Sequence, residues 1–235
     1  KCKAGFKKSK TKPWIKKMWC IGRIDKEYRK RMYNILHLYE MPYNPKKPLI
    51  AMDEKSKQLL GEKRKPIPQK PGNPEKYDYE YVRNSKANIF VAVEFKTGKR
   101  IVQVTNQRTK QDFAKFMRSV VKHYKNASSI QIVLDNLNTH FKSSFYETFS
   151  KKKADKILSK LEFHYTPKHA SWLNAAEIEI GVMDTECTAR RTSSKEVLAC
   201  EVYAWAKDRN KKRKKIDWRF TKKDADKKLS KYYVQ

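Results

Sequence analysis

The chain has 235 residues, enough for one substantial core with short appendages; no apolar stretch approaches the roughly 20 residues of a membrane span, and no segment reads as a secretory signal. Lys plus Arg number 56 against 25 Asp plus Glu, a net charge of +31 that exceeds what solubility requires and points to a polyanionic partner, nucleic acid first. Four scattered cysteines, Cys2, Cys20, Cys187 and Cys200, show neither a disulfide framework nor the Cys/His spacing of a zinc site, which places the chain in a reducing, aqueous compartment, and with six glycines there is no Gly-rich nucleotide loop.

The positive charge is clustered. Residues 1–30 carry twelve basic and two acidic residues, and residues 207–231 carry thirteen and four. A Lys-rich composition that merely solvates the surface does not explain basic arms at both ends, which read as phosphate-contacting segments whose binding weakens steeply with salt.

In chain order, the first twenty residues read as a basic linker with Trp14 and Trp19 interspersed, following a missing N-terminal portion. Tyr28, Met32, Ile35, Leu36 and Tyr39 predict an entry helix that Pro42 and Pro45 stop. Leu49 to Met52 is a buried strand delivering Asp53 at its C-terminal end, with Lys57 to Leu60 continuing it or pairing with it. Residues 61–78, with four prolines, form a loop. From Tyr79 to Thr105 the pattern is β, a hairpin of Ile89–Phe95 and Arg100–Thr105 about a turn at Thr97-Gly98. Phe113, Phe116, Met117, Val120, Val121 and Tyr124 predict an amphipathic helix leading into the strand Ile130–Leu134, which delivers Asp135 and completes a β-α-β crossover. A fifth strand, Leu161–Tyr165, ends at Thr166-Pro167, and helical segments follow to near residue 210. This order predicts an α/β fold, a central mixed five-stranded sheet flanked by helices. Asp53 and Asp135 then lie on adjacent strands if the first and fourth strands pair.

Strand ends are where an α/β sheet places its chemistry, and Glu177 stands just inside a predicted helix start. Three carboxylates converging in a low-dielectric cleft repel one another, a repulsion that Mg²⁺ or Mn²⁺ relieves; two such ions about 3.5–4 Å apart suit attack on a phosphodiester. Each acid also has a plainer reading. Asp53 alone reads as a strand-terminating acid that accepts turn hydrogen bonds, and Asp135-Asn136 as an Asx turn. Asn174-x-x-Glu177 reads equally as a capping box. Glu179 is a rival third acid, but two positions along a helix turn roughly 200°, so Glu177 and Glu179 do not share one face. His140, His164 and His169 fit no zinc spacing and read as DNA-contacting or packing residues. Trp172 reads as a base-stacking or a core residue, and Lys168 and His169 as loop residues within reach of phosphate.

The segments Ala51-Met52-Asp53-Glu54-Lys55, Asp135-Asn136-Leu137-Asn138-Thr139-His140 and Thr166-Pro167-Lys168-His169-Ala170-Ser171-Trp172-Leu173-Asn174-Ala175-Ala176-Glu177 together resemble the three acid-bearing motifs of DDE transposases, specifically bacterial insertion-sequence transposases related to the mariner superfamily. The likeness extends to Tyr79–Asn84 and to Ile216–Thr221, and the interval from residue 135 to 177 fits the family's variable spacer. The resemblance implies a ribonuclease H-like catalytic fold and two Mg²⁺ ions, with Mn²⁺ as substitute, held by Asp53, Asp135 and Glu177. It implies cut-and-paste movement of an element into TA sites, double-stranded DNA as partner (transposon ends and target), a homodimer that brings paired ends together, and a bacterial cytoplasm at the nucleoid. Lys55, His140, Lys168, His169 and Trp172 become candidate DNA contacts. The expected organisation is a basic linker and entry helix over 1–47, remnant of a helix-turn-helix region, a catalytic domain over 48–210, and a basic C-terminal segment over 211–235. The alternatives are a ribonuclease H-like nuclease or resolvase that cuts without joining, and a decayed DNA-binding protein.

Overall fold

Asp25 opens the first helix, α1 (Lys26–Glu40), by accepting the Tyr28 N–H, and the helix ends at Met41, immediately before Pro42. The computed structural model describes residues 24–94 and 96–234; the expected basic linker with Trp14 and Trp19, and Phe95 of the hairpin, lie outside the described residues. Along α1 the buried Met32, Ile35, Leu36 and Tyr39 recur at helical spacing, so one face is apolar and seats on the sheet.

Five strands follow, β1 (Leu49–Glu62), β2 (Tyr81–Glu94), β3 (Lys99–Thr105), β4 (Ile130–Leu134) and β5 (Leu161–Tyr165), in the spatial order β3-β2-β1-β4-β5. β2 runs antiparallel to β1 and β3, while β1, β4 and β5 are parallel. This is the ribonuclease H-like arrangement, and the expected pairing of the first and fourth strands is present. Of the two readings of Lys57 to Leu60, the structure takes continuation: β1 does not stop at Asp53 but runs to Glu62, two residues into the segment expected as loop. The reason is that β2 pairs with it antiparallel all the way to Tyr81, satisfying its backbone on that side after β4 has ended.

Because β1 is central, its side chains alternate into two buried layers. Ile50 and Met52 pack under α2 (Lys110–His123), α3 (Ser143–Thr148) and α4 (Lys151–Leu158), with Phe90, Phe113, Phe116 and Phe145. Leu49 and Ala51 face α1 and the segment Ala170–Ala176. Further along that second face, Leu59 and Val91 pack against α5 (Ala176–Met183), its π-helical continuation Asp184–Thr188, and α6 (Lys195–Lys211). The last helix, α7 (Lys222–Leu229), with Ile216, Trp218 and Phe220 before it, packs into the α1 layer, so the entry helix and the basic C-terminal segment share a core with β1.

Gly98 makes the β2–β3 turn with φ +74°, and its N–H reaches Glu94 O at 2.9 Å. A Cβ there would stand 2.8 Å from Lys214 O, so the glycine also admits the C-terminal segment against the turn. Among the described residues no helix is long and apolar enough to cross a membrane.

Candidate active site

In the parallel pair of β1 and β4, Ala51 lies opposite Val133, the last matched couple. Asp53 and Asp135 each stand two residues further on, level with one another, Asp53 still within β1 and Asp135 just past the end of β4. Alternation then sorts the neighbours. Asp53 shares the face of Ala51, toward α1 and α5, and Glu54 shares the face of Met52, toward α2.

Asp53 is half-buried and its two oxygens are held differently: Oδ1 accepts the Glu54 N–H at 2.8 Å, and Oδ2 accepts Asn174 Nδ2 at 3.3 Å. Burial first, and then the charges of Glu54, Asp135 and Glu177, push its carboxyl from 3.8 up to about 7, with the Glu54 N–H bond opposing them. Asp135 behaves in the opposite way. Burial would raise it, but the His140 Nδ1 bond at 2.6 Å, the His140 charge, the Leu137 N–H at 3.1 Å and the charge of Arg108 hold it below the usual carboxylate range.

His140, expected at the DNA, is only 1% exposed and turns inward from the short helical turn Asn138–His140, with its ring 4.7 Å from that of Phe113. Its Nε2 lies 3.0 Å from Glu54 Oε2, an ion pair rather than an aligned hydrogen bond, and the Glu54 side chain is 3% exposed. Burial disfavours the imidazolium, yet the Asp135 and Glu54 carboxylates outweigh it and raise the His140 pKa to about 9. Arg108 Nη1 stands 3.8 Å from Glu54 Oε1 at the rim.

Glu177 is the second residue of α5; its side chain is exposed and makes no hydrogen bond or ion pair among the described residues. The capping box is not formed, because Asn174 is committed elsewhere. Its Nδ2 donates to Met52 O at 2.9 Å and its Oδ1 accepts the Ala176 N–H at 3.2 Å. Tyr39 of α1 supports the same segment, donating its hydroxyl to Leu173 O at 2.8 Å and accepting the Ala175 N–H at 3.2 Å. Glu179 points away into the core, where Arg100 grips both its oxygens at 2.5 and 2.9 Å and Arg209 Nε adds a bond at 2.8 Å.

Of the other candidates, Lys55 is ion-paired with Asp184 of the π-helical turn. Lys168 and His169 are exposed, His169 with φ +61°, and Trp172 is 41% exposed, edge-on to Phe220 at 5.4 Å. His164 Nδ1 lies 3.0 Å from Asn34 Nδ2. Sequence reasoning missed Glu54 and Asn174 as parts of this site. Strand alternation could have separated Glu54 from Asp53, whereas Asn174 three residues before a Glu carries the signature of a cap.

Among the described residues no three His, Cys, Asp or Glu side chains are gathered to hold a metal ion. The chemistry of the donors nevertheless fits a hard divalent cation: Asp53, Asp135 and Glu177 offer oxygen only, and Asp53 feels the negative charge of both others.

A family model described as DDE superfamily endonuclease matches residues 48–199. No curated protein matches the chain. Among solved structures, the mariner Mos1 paired end complex with Mg is 13% identical, covering 95% of this chain and 69% of that one at a TM-score of 0.44. The Mos1 mariner paired end complex with Mn is 14% identical, with coverages of 86% and 67% and a TM-score of 0.33. A simian T-cell lymphotropic virus intasome in complex with PP2A regulatory subunit B56 gamma is 15% identical, covering 65% of this chain at a TM-score of 0.38. The chain spans 45% of the length of that intasome chain.

Proposed function

The chain belongs to the DDE superfamily of endonucleases, and from that premise we propose that it is the catalytic part of a DNA transposase that cleaves strands and joins a 3′-hydroxyl end to target DNA, in cut-and-paste fashion at TA sites. The observation that carries this reading is the placement of three carboxylates, Asp53 on β1 level with Asp135 just past β4, and the exposed Glu177 in the first turn of α5, with Asp53 feeling the charge of both others. In this reading Asp53, Asp135 and Glu177 hold two Mg²⁺ ions, with Mn²⁺ as substitute. Bound there, the ions supply charge stabilisation to the attacking and leaving oxygens of a phosphodiester. Asn174 fixes the orientation of Asp53 and, through the Ala176 N–H, the start of the helix that carries Glu177. No side chain of the cleft forms a covalent bond to DNA.

The partner in this reading is double-stranded DNA, transposon ends and target, drawn by the net charge of +31 and met near the cleft by the exposed Lys168, His169 and Trp172. The catalytic unit in this reading is centred on residues 48–210, with 1–47 and 211–235 as basic flanks from which α1 and the residues from Ile216 onward pack into its core, and it acts as a homodimer in the cytoplasm. A pre-cut 3′-hydroxyl DNA end, a TA-containing plasmid and Mn²⁺ are expected to yield joined product that Asp135→Asn abolishes. Cleavage without joining would favour a nuclease or resolvase, and metal-dependent chemistry unchanged by Asp135→Asn would sink the assignment.

A further inference from the structure

We propose that Glu54 and His140 form a positioning pair that holds Asp135 by Oδ1 and so leaves Oδ2 as the oxygen it offers to a divalent cation. The inference rests on the metal-dependent reading above and concerns two buried ionisable groups that this reading does not use. Glu54 stands one residue beyond Asp53 but on the opposite face of β1, under α2, where it is out of the cleft. His140 meets it there and reaches past the end of β4 to Asp135. Burying a carboxylate and an imidazole costs desolvation that two apolar side chains in this layer would avoid. Among the described residues, the side chains of the pair make one hydrogen bond to an acid of the cleft, from His140 to Asp135.

The contacts are directional. Asp135 Oδ1 accepts both His140 Nδ1 at 2.6 Å and the Leu137 N–H at 3.1 Å, while Oδ2 makes no hydrogen bond among the described residues. The imidazole is fixed on every side: by Glu54 at Nε2, by the Phe113 ring at 4.7 Å, and through its backbone carbonyl, which accepts the Tyr165 hydroxyl at 2.9 Å. Ser144 Oγ donates to the preceding carbonyl, Thr139 O, at 2.7 Å and steadies the same turn. A carboxylate held by one oxygen presents the other in one orientation, the usual means by which outer partners tune a ligand.

The test is Mn²⁺ binding to the full chain without DNA, followed by electron paramagnetic resonance, for the parent, His140→Ala, His140→Asn and Glu54→Gln, with thermal unfolding alongside. His140→Ala is expected to weaken Mn²⁺ binding about 10- to 100-fold. His140→Asn places an amide N–H close to where Nδ1 stands and is expected to recover most of that loss. Glu54→Gln is expected to weaken binding several-fold. A merely structural role would lower the thermal stability of His140→Ala and His140→Asn alike without separating their affinities, and that result overturns the proposal. So does parental affinity in His140→Ala or, should that variant not fold, in Glu54→Gln. A parent chain that binds no Mn²⁺ in DNA-free or DNA-bound form would instead overturn the metal-dependent reading beneath it.

Discussion

Glu177 and Glu179 stand two residues apart on α5 and meet opposite environments, one exposed beside Asp53 and the other sealed between Arg100 and Arg209. The helical turn of roughly 200° between them makes this unavoidable, but which of the two faces the cleft depends on how α5 is rolled against β1. Their substitutions are therefore expected to part. Glu177→Gln should abolish metal-dependent DNA chemistry at unchanged stability, whereas Glu179→Gln should cost about 3–5 kcal/mol by leaving buried arginine charge uncompensated. Urea unfolding of both variants decides it, and equal stabilities would contradict the assignment. At Asp53 the folded state binds a proton more tightly than the unfolded chain, so its contribution to stability is present at low pH and declines as pH rises from about 4 to about 7. Asp53→Asn removes that decline. The Tm of the variant relative to the parent should rise across this interval in metal-free buffer, with Mg²⁺ narrowing the gap near pH 7; a pH-independent difference would show that Asp53 is not destabilised by burial.

At the scale of elements, the site depends on a short segment, Ala170–Ala175, whose own regular structure is a single 3₁₀ turn, Ser171–Leu173. Asn174 ties it to β1 and Tyr39 ties it to α1. Asn174→Ala would leave Met52 O without its donor and is expected to cost about 1–3 kcal/mol, read by calorimetry; a neutral effect would mean that the segment is held by its apolar contacts alone. Tyr39 was legible from helical spacing as a core residue, but the bonds of its hydroxyl were not, because they join residues more than 130 positions apart. The β2–β3 turn shows the reverse. Thr97-Gly98 identified the turn, and the structure adds that Gly98 leaves room for Lys214. Gly98→Ala should destabilise by more than the about 1–2 kcal/mol of a left-handed alanine, since the added Cβ also meets a backbone carbonyl; a loss within that range in urea titration would show that the C-terminal segment moves aside easily.

Across the whole molecule, α1, β1 and the final residues share one apolar layer. Met32, Ile35, Leu36 and Tyr39 are covered in part by Trp218, Phe220, Ala225 and Leu229. Removing residues 216–235 is expected to lower Tm by several degrees and to expose an apolar face that binds a hydrophobic dye, whereas an unchanged Tm would show that the basic C-terminal segment is dispensable for this core.

What the sequence determined by itself is what local periodicity and polymer charge control. The strands, the amphipathic helices and the basic character follow from alternation, helical spacing and composition, and it is the resemblance of the three motifs to those of DDE transposases that singles out Asp53, Asp135 and Glu177 over their plainer readings. Tertiary structure decided what depends on partners distant in the chain. β1 runs on past Asp53 because β2 lies beside it, Asn174 serves Met52 and Asp53 rather than a helix cap, and His140 turns inward because Glu54 waits on the far face of the strand. Backbone propensity acts over a few residues, whereas a buried hydrogen bond or ion pair forms wherever packing brings donor and acceptor together, and no local pattern encodes that meeting.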